Sequence, residues 1–157
     1  MCEAPLKVFD FNDGSDGWIW GQEADNSRFA PASRGGITKA DVGNLKLKWA
    51  FDFPNASRVR SQPALVGGAA IMGSRSGRVY ALDRETGCVR WTFDAAGEVQ
   101  TGIVVQPWKK GDRNAKPIAI FGDGIGKVYA VDARDGSLVW SARPEEHSSA
   151  KITAAAA

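Results

Sequence analysis

An all-β fold of stacked, four-stranded antiparallel modules is what this 157-residue sequence predicts, on three observations. Residues 77–91 return forty-nine positions later as residues 126–140, with seven of fifteen residues unchanged: Gly77/Gly126, Val79/Val128, Tyr80/Tyr129, Ala81/Ala130, Asp83/Asp132, Gly87/Gly136 and Trp91/Trp140. A period in the forties belongs to modules that cannot bury their cores alone. Each copy sets β-branched and aromatic runs on either side of a turn-forming segment, which reads as a hairpin. The 18 glycines supply the turns that such a chain needs.

The elements follow in chain order. Phe9, Phe11, Trp18, Trp20 and Phe29 are too many aromatics for a disordered tail, and they sit among turn formers such as the stretch 12–17. Arg28 reads as a side chain that clamps backbone carbonyls, with ligand binding as its alternative. Thr38, followed three residues on by Asp41, predicts a short capped helical turn. Residues 45–53 begin with strict Leu/Lys alternation and read as a half-buried strand, its Trp49 lying 42 residues before Trp91. Residues 62–66 lead to Gly67-Gly68, a two-glycine hairpin turn, and on to 69–73, the turn 74–77 and the first motif hairpin. The second module takes 100–105 and 118–121 as its first strands. Residues 107–117 between them form a polar loop that accounts for the longer spacing. Trp108, Lys109 and Lys110 read as its solvated tip, a partner patch being the alternative.

Asp83 and Asp132 hold the same place in each hairpin, so they read as turn caps rather than metal ligands or catalytic acids. Trp91 and Trp140 read as packing between modules.

Composition excludes several classes. The formal charge is +2 with acidic and basic residues interspersed, which leaves no stripe for nucleic acid. No apolar run approaches the roughly 18 residues of a membrane span. Residues 1–5 lack the basic and apolar regions of a signal peptide. Cys2 and Cys88 fit no zinc or c-type haem motif and read as isolated thiols, a Cys2–Cys88 disulfide being the alternative. His147 reads as a loop residue, with general-base chemistry as the alternative.

The pattern Ala-x-Asp-x-x-x-Gly-x-x-x-Trp of both copies resembles the tryptophan-docking motif of the pyrroloquinoline quinone (PQQ) repeat, found in quinoprotein dehydrogenase β-propellers. The stretch 20–31, with Trp20-Gly21 followed by Asn26-Ser-Arg-Phe-Ala-Pro31, resembles the opening of such propellers. Residues 45–54, 61–63, 86–93 and 146–153 are similar to polyvinyl-alcohol dehydrogenases. The resemblance implies a partial β-propeller, an arc of a seven- or eight-bladed ring. It would hold an N-terminal segment with an incomplete blade (1–60), two complete blades (61–97 and 98–143) and the start of another (144–157).

The implied activity is oxidation of secondary alcohols with PQQ and Ca²⁺, electrons passing to cytochrome c in the periplasm. The implied partners are the remaining blades, an alcohol substrate and that cytochrome, with neither nucleic acid nor a membrane span. Cofactor-binding positions on the lead-in to the inner strands would be Arg60 and Gln62, then Gln100 and Thr101, with Arg58, Lys151 and Thr153 beside them. Arg60 stands near where related enzymes place a Glu, and Gln100 where they place an Arg. Catalytic residues and metal ligands of the family fall in later blades, so none is assigned, and the isolated chain is expected to be inactive. A non-catalytic propeller scaffold, like the lipoprotein of outer-membrane assembly, is the alternative.

Overall fold

The computed structural model describes residues 8–21, 27–29 and 35–155. Eight strands form two sheets of four, β1 (Ala64–Val66), β2 (Ala69–Gly73), β3 (Arg78–Asp83), β4 (Val89–Asp94), and β5 (Val104–Val105), β6 (Ile118–Gly122), β7 (Val128–Asp132), β8 (Leu138–Ala142). Each sheet is an antiparallel meander in sequence order. Val66 pairs with Ala69 across Gly67 and Gly68, whose φ values of 60° and 73° are the left-handed pair that a two-residue hairpin requires.

Both motif hairpins carry the same irregularity. The register shifts between Ala81 and Leu82 in the first blade and between Ala130 and Val131 in the second. Such a bulge leaves one residue of the outer strand unpaired, and in the first blade that residue is Arg90.

The inner strands are shorter than 62–66 and 100–105. Their approach segments join the sheet through a hydroxyl instead of a backbone ladder. Ser61 Oγ accepts the Gly73 N–H at 3.0 Å. Thr101 Oγ1 accepts the Gly122 N–H and donates to the Gly122 carbonyl, both at 3.2 Å. Pro63 moreover has no N–H to give.

One apolar core spans both sheets, with Ile71, Val79, Val99, Val105, Phe121 and Val131 among its most buried members. Trp91 locks the blades together. Its indole lies where a Cβ on Gly136 would stand, 2.6 Å from Cε3, and its Nε1 donates to the Ala133 carbonyl at 3.1 Å. Trp49 treats the first blade the same way, over Gly87 with Nε1 on the Arg84 carbonyl at 3.0 Å. No strand forms over 45–53, however. A strand needs a ladder partner, and among the described residues none flanks it. The segment is held instead by Trp49 and by Phe51 and Phe53 against Tyr80, at 5.2 and 5.5 Å between ring centroids. Phe93 repeats that contact on Tyr129 at 5.4 Å.

The expected capped turn is present as a 3-10 turn at Lys39–Asn44, where the Thr38 N–H and hydroxyl both donate to Asp41. Those two bonds hold the Asp41 carboxyl below its usual range. Trp108 is not a solvated tip. Its Nε1 donates to the Phe11 carbonyl at 2.9 Å, its N–H to the Ser15 carbonyl at 2.9 Å, and its ring lies 5.6 Å from that of Phe9. An indole left in water at that position would forfeit its apolar burial, and the aromatics of 9–18 provide the cover. Among the described residues the Arg28 guanidinium clamps no carbonyl, and it lies 4.1 Å above the Trp20 ring as a cation–π contact. Cys88 is disulfide-bonded rather than an isolated thiol. Cys2, its partner in the alternative reading, lies outside the described residues.

Candidate cofactor-facing site

The site is built from one repeated local device. Gly73 and Gly122 end β2 and β6, and a side chain there would collide with Val99 and Ile152, at 2.3 Å in both cases. Those two residues also make the same backbone bond. Val99 donates to the Ser74 carbonyl at 2.9 Å, and Ile152 to that of Asp123 at 3.0 Å. The hydroxyl latches align Ser61 with Thr101 in turn. The register therefore puts Val59, Val99 and Ile152 at one level, and Arg60, Gln100 and Thr153 at the next.

Neighbouring residues of an extended chain point to opposite sides. Thr101 and Ser61 turn inward onto glycine backbone, so Arg60 and Gln100 turn the other way. Arg60 is exposed and Gln62 and Gln100 are half-buried. Their side chains make no hydrogen bond or ion pair among the described residues. The Thr101 hydroxyl is fully engaged by Gly122, so what Thr101 contributes is the seating of the strand that carries Gln100. Arg58 and Lys151 fall at the level of Glu98, three residues before the latch, where Glu98 accepts from Arg75 at 2.8 Å.

The lead-in to Gln100 is fixed from below by a buried carboxylate that the sequence marks only as a turn residue. Asp123, with no exposure, accepts the N–H groups of Gly97, Ile125 and Lys127 and the Tyr129 hydroxyl at 2.8 Å. The Tyr129 oxygen in turn accepts the Ala96 N–H at 2.9 Å. Burial, with the Asp123 carboxylate beside it, pushes the Tyr129 hydroxyl up to about 12. Blade 1 has Ser74 in this place. The functional reading of Asp123 is thus mechanical, since its oxygens are already occupied.

Trp20 borders the same face. Its Cδ1 would stand 2.9 Å from a Cβ on Gly102, two residues past Gln100, so only glycine admits the indole there. Among the described residues no group of three or more His, Cys, Asp or Glu is placed to hold a metal ion. His147 sits in an exposed turn, where Nδ1 accepts the Ser149 N–H at 3.1 Å.

This blade geometry coincides with a sequence match. Residues 18–143 match the PQQ family described as the glucose/ethanol/alcohol dehydrogenase β-propeller domain. The chain belongs to that family. It is 38% identical over 104 residues to a polyvinylalcohol dehydrogenase from a Pseudomonas species, covering 66% of this chain and 16% of that protein. A polyvinylalcohol dehydrogenase from Sphingopyxis sp. strain 113P3 is 38% identical over 92 residues, covering 59% of this chain and 14% of that one.

Among solved structures, a quinohemoprotein alcohol dehydrogenase from Pseudomonas putida HK5 superposes with a TM-score of 0.68 at 25% identity, over 90% of this chain and 21% of that one. The enzyme of that class from Comamonas testosteroni gives a TM-score of 0.67 at 24% identity, over 89% of this chain and 21% of that one, a likeness of fold. The chain thus spans about a sixth of the length of its curated relatives. The fold is that of PQQ propeller blades, as the repeat predicts. In the family setting, Arg60, Gln100 and Thr153 hold one level of successive blades.

Proposed function

We propose that these residues form part of the propeller of a PQQ-dependent alcohol dehydrogenase of the polyvinyl-alcohol type, and that the level of Arg60 and Gln100 faces the cofactor. One observation carries this reading. The lead-in segments of successive blades share a register that leaves a cation and a carboxamide, both without partners among the described residues, at equivalent positions.

The donor chemistry fits the group. PQQ is a planar, multiply carboxylated quinone, and a guanidinium offers it paired N–H donors, while Gln100 and Gln62 offer amide N–H groups. When bound, PQQ supplies the two-electron acceptor for alcohol oxidation. Arg60 would bind and orient a cofactor carboxylate. Gln100 would donate to an oxygen from the next blade, with Gln62 beside it. Thr101 and the Asp123–Tyr129 pair hold that blade's lead-in still. Ca²⁺ and the catalytic carboxylate would belong to the rest of the ring, a cytochrome c would take the electrons, and the setting would be the periplasm. The chain by itself is not expected to turn over alcohol.

Fluorescence titration of the chain with PQQ, wild type against Arg60→Ala, tests the site. Removing one charge-assisted pair should weaken binding by roughly tenfold, and equal affinities would remove Arg60 from it. Reduction of an artificial dye by the chain with PQQ, Ca²⁺ and a secondary alcohol would overturn the expected inactivity.

A further inference from the structure

Blade 2 connects its first two strands by residues 106–117, where blade 1 uses Gly67 and Gly68 alone. The insertion is not loose. Trp108 is pinned by two hydrogen bonds to the segment carrying Phe11 and Ser15, Gly111 N–H donates to the Phe11 carbonyl at 3.0 Å, and Ala133 N–H reaches the Pro117 carbonyl at 2.9 Å. On this anchored loop Lys109, Lys110, Arg113 and Lys116 are exposed, and none has an ion pair or hydrogen bond to another described residue. Asp112 is the loop's only acid, and its carboxylate accepts the Asn114 N–H at 2.9 Å.

The loop holds four of the 20 basic residues and one of the 18 acidic ones, so it carries +3 while the rest of the chain nets −1. Beside it opens a hollow of about 340 Å³, lined by Val8, Phe9 and Phe11 and by Asp10, Asn12 and Arg113.

We infer that this loop and hollow form a docking surface for an acidic protein segment bearing an apolar side chain. The cations would meet its carboxylates, and the hollow would take the apolar group. Charge complementarity names the partner class. A fixed array of cations loses less freedom on binding than a mobile one, which is the physical gain from the Trp108 anchor. A single loop beside an aromatic hollow suits one inserted side chain better than the extended track that a phosphate backbone needs. The surface lies at the far end of the inner strand from Gln100, so an occupant would leave the cofactor-facing level open.

The test is fluorescence anisotropy of a labelled synthetic peptide, rich in Asp and Glu with one central Phe, titrated with the 157-residue chain at low and at physiological salt. Binding should weaken with salt, and K109Q/K110Q should lower affinity roughly tenfold while the charge-matched K39Q/K46Q changes it less than about twofold. Replacing the central Phe by Ser should weaken binding further. Equal losses in the two double variants would mean that net charge alone attracts the peptide, and would overturn the proposal. So would absence of binding at low salt, or a preference for phosphatidylglycerol vesicles or duplex DNA over the peptide.

Discussion

Asp83 and Asp132 occupy one position in two copies of a motif, yet different arginines neutralise them. Asp83 receives Arg90, the bulged residue of β4, at 2.8 Å, with both side chains buried, and also the N–H groups of Glu85 and Thr86. Asp132 has Val139 at the corresponding place and is met by Arg134, from its own turn, at 2.6 Å. Burial alone would raise the Asp83 carboxyl. The Arg90 hydrogen bond and the turn N–H groups outweigh it and hold it at about 2.

A lowered carboxyl contributes stability that is present above its unfolded value, near 3.8, and is lost as the pH falls through about 2. Asp83→Asn should therefore flatten the acid limb of a urea-unfolding series over that window. At neutral pH it should cost about 3–5 kcal/mol, because Arg90 is left buried without its partner. Tyr129→Phe strips a donor from Asp123 and an acceptor from Ala96, a loss of about 1–3 kcal/mol in the same assay. The raised Tyr129 hydroxyl works with the opposite sign. Its contribution holds up to about pH 10 and fades as the pH rises through about 12, and Tyr129→Phe should remove that alkaline dependence. The turn-capping role of both Asp residues was legible from the repeat. Their arginine partners were not, because only the bulge register brings Arg90 back to Asp83.

The tryptophans show the same division between elements. Trp91 is 8% exposed and docked on the next blade, whereas Trp140, its copy, is 44% exposed, and all of β8 is open. Trp91→Ala should cost about 3–5 kcal/mol in denaturant unfolding, and Trp140→Ala less than about 1 kcal/mol. Gly136→Ala meets two penalties at once, a φ of 76° and the Trp91 ring in the space of the new methyl. A loss of about 2–5 kcal/mol follows from strain and overpacking together. The inner-strand latches went unread because Ser61 and Thr101 differ in type and in distance from the motif, so no fixed period links them. Their signal, a β-branched residue two positions before a hydroxyl, is too short to notice without the register.

At the scale of the molecule, two blades share one core but leave a sheet face bare. Leu138 and Val139 are 54% and 51% exposed beside Trp140. An apolar patch of that kind drives association. Light scattering should show concentration-dependent self-association of the chain, reduced in Val139→Lys, which sets a charge among these exposed apolar side chains.

The sequence by itself determined the blades. Hairpin, turn glycine and docking tryptophan are local or periodic signals, written twice, and they carried the all-β class, the four-stranded meander and the family. Through the family resemblance it also named Arg60, Gln62, Gln100 and Thr101 as candidates to face the cofactor. Only the tertiary structure decided which of those side chains stand clear and which are consumed. Thr101 is taken up by Gly122, and Trp108 by Phe11 and Ser15, through contacts whose partners lie 21 and as many as 97 residues away. A side chain's availability depends on what packs against it, and a partner that distant leaves no mark on the residues beside it in the chain.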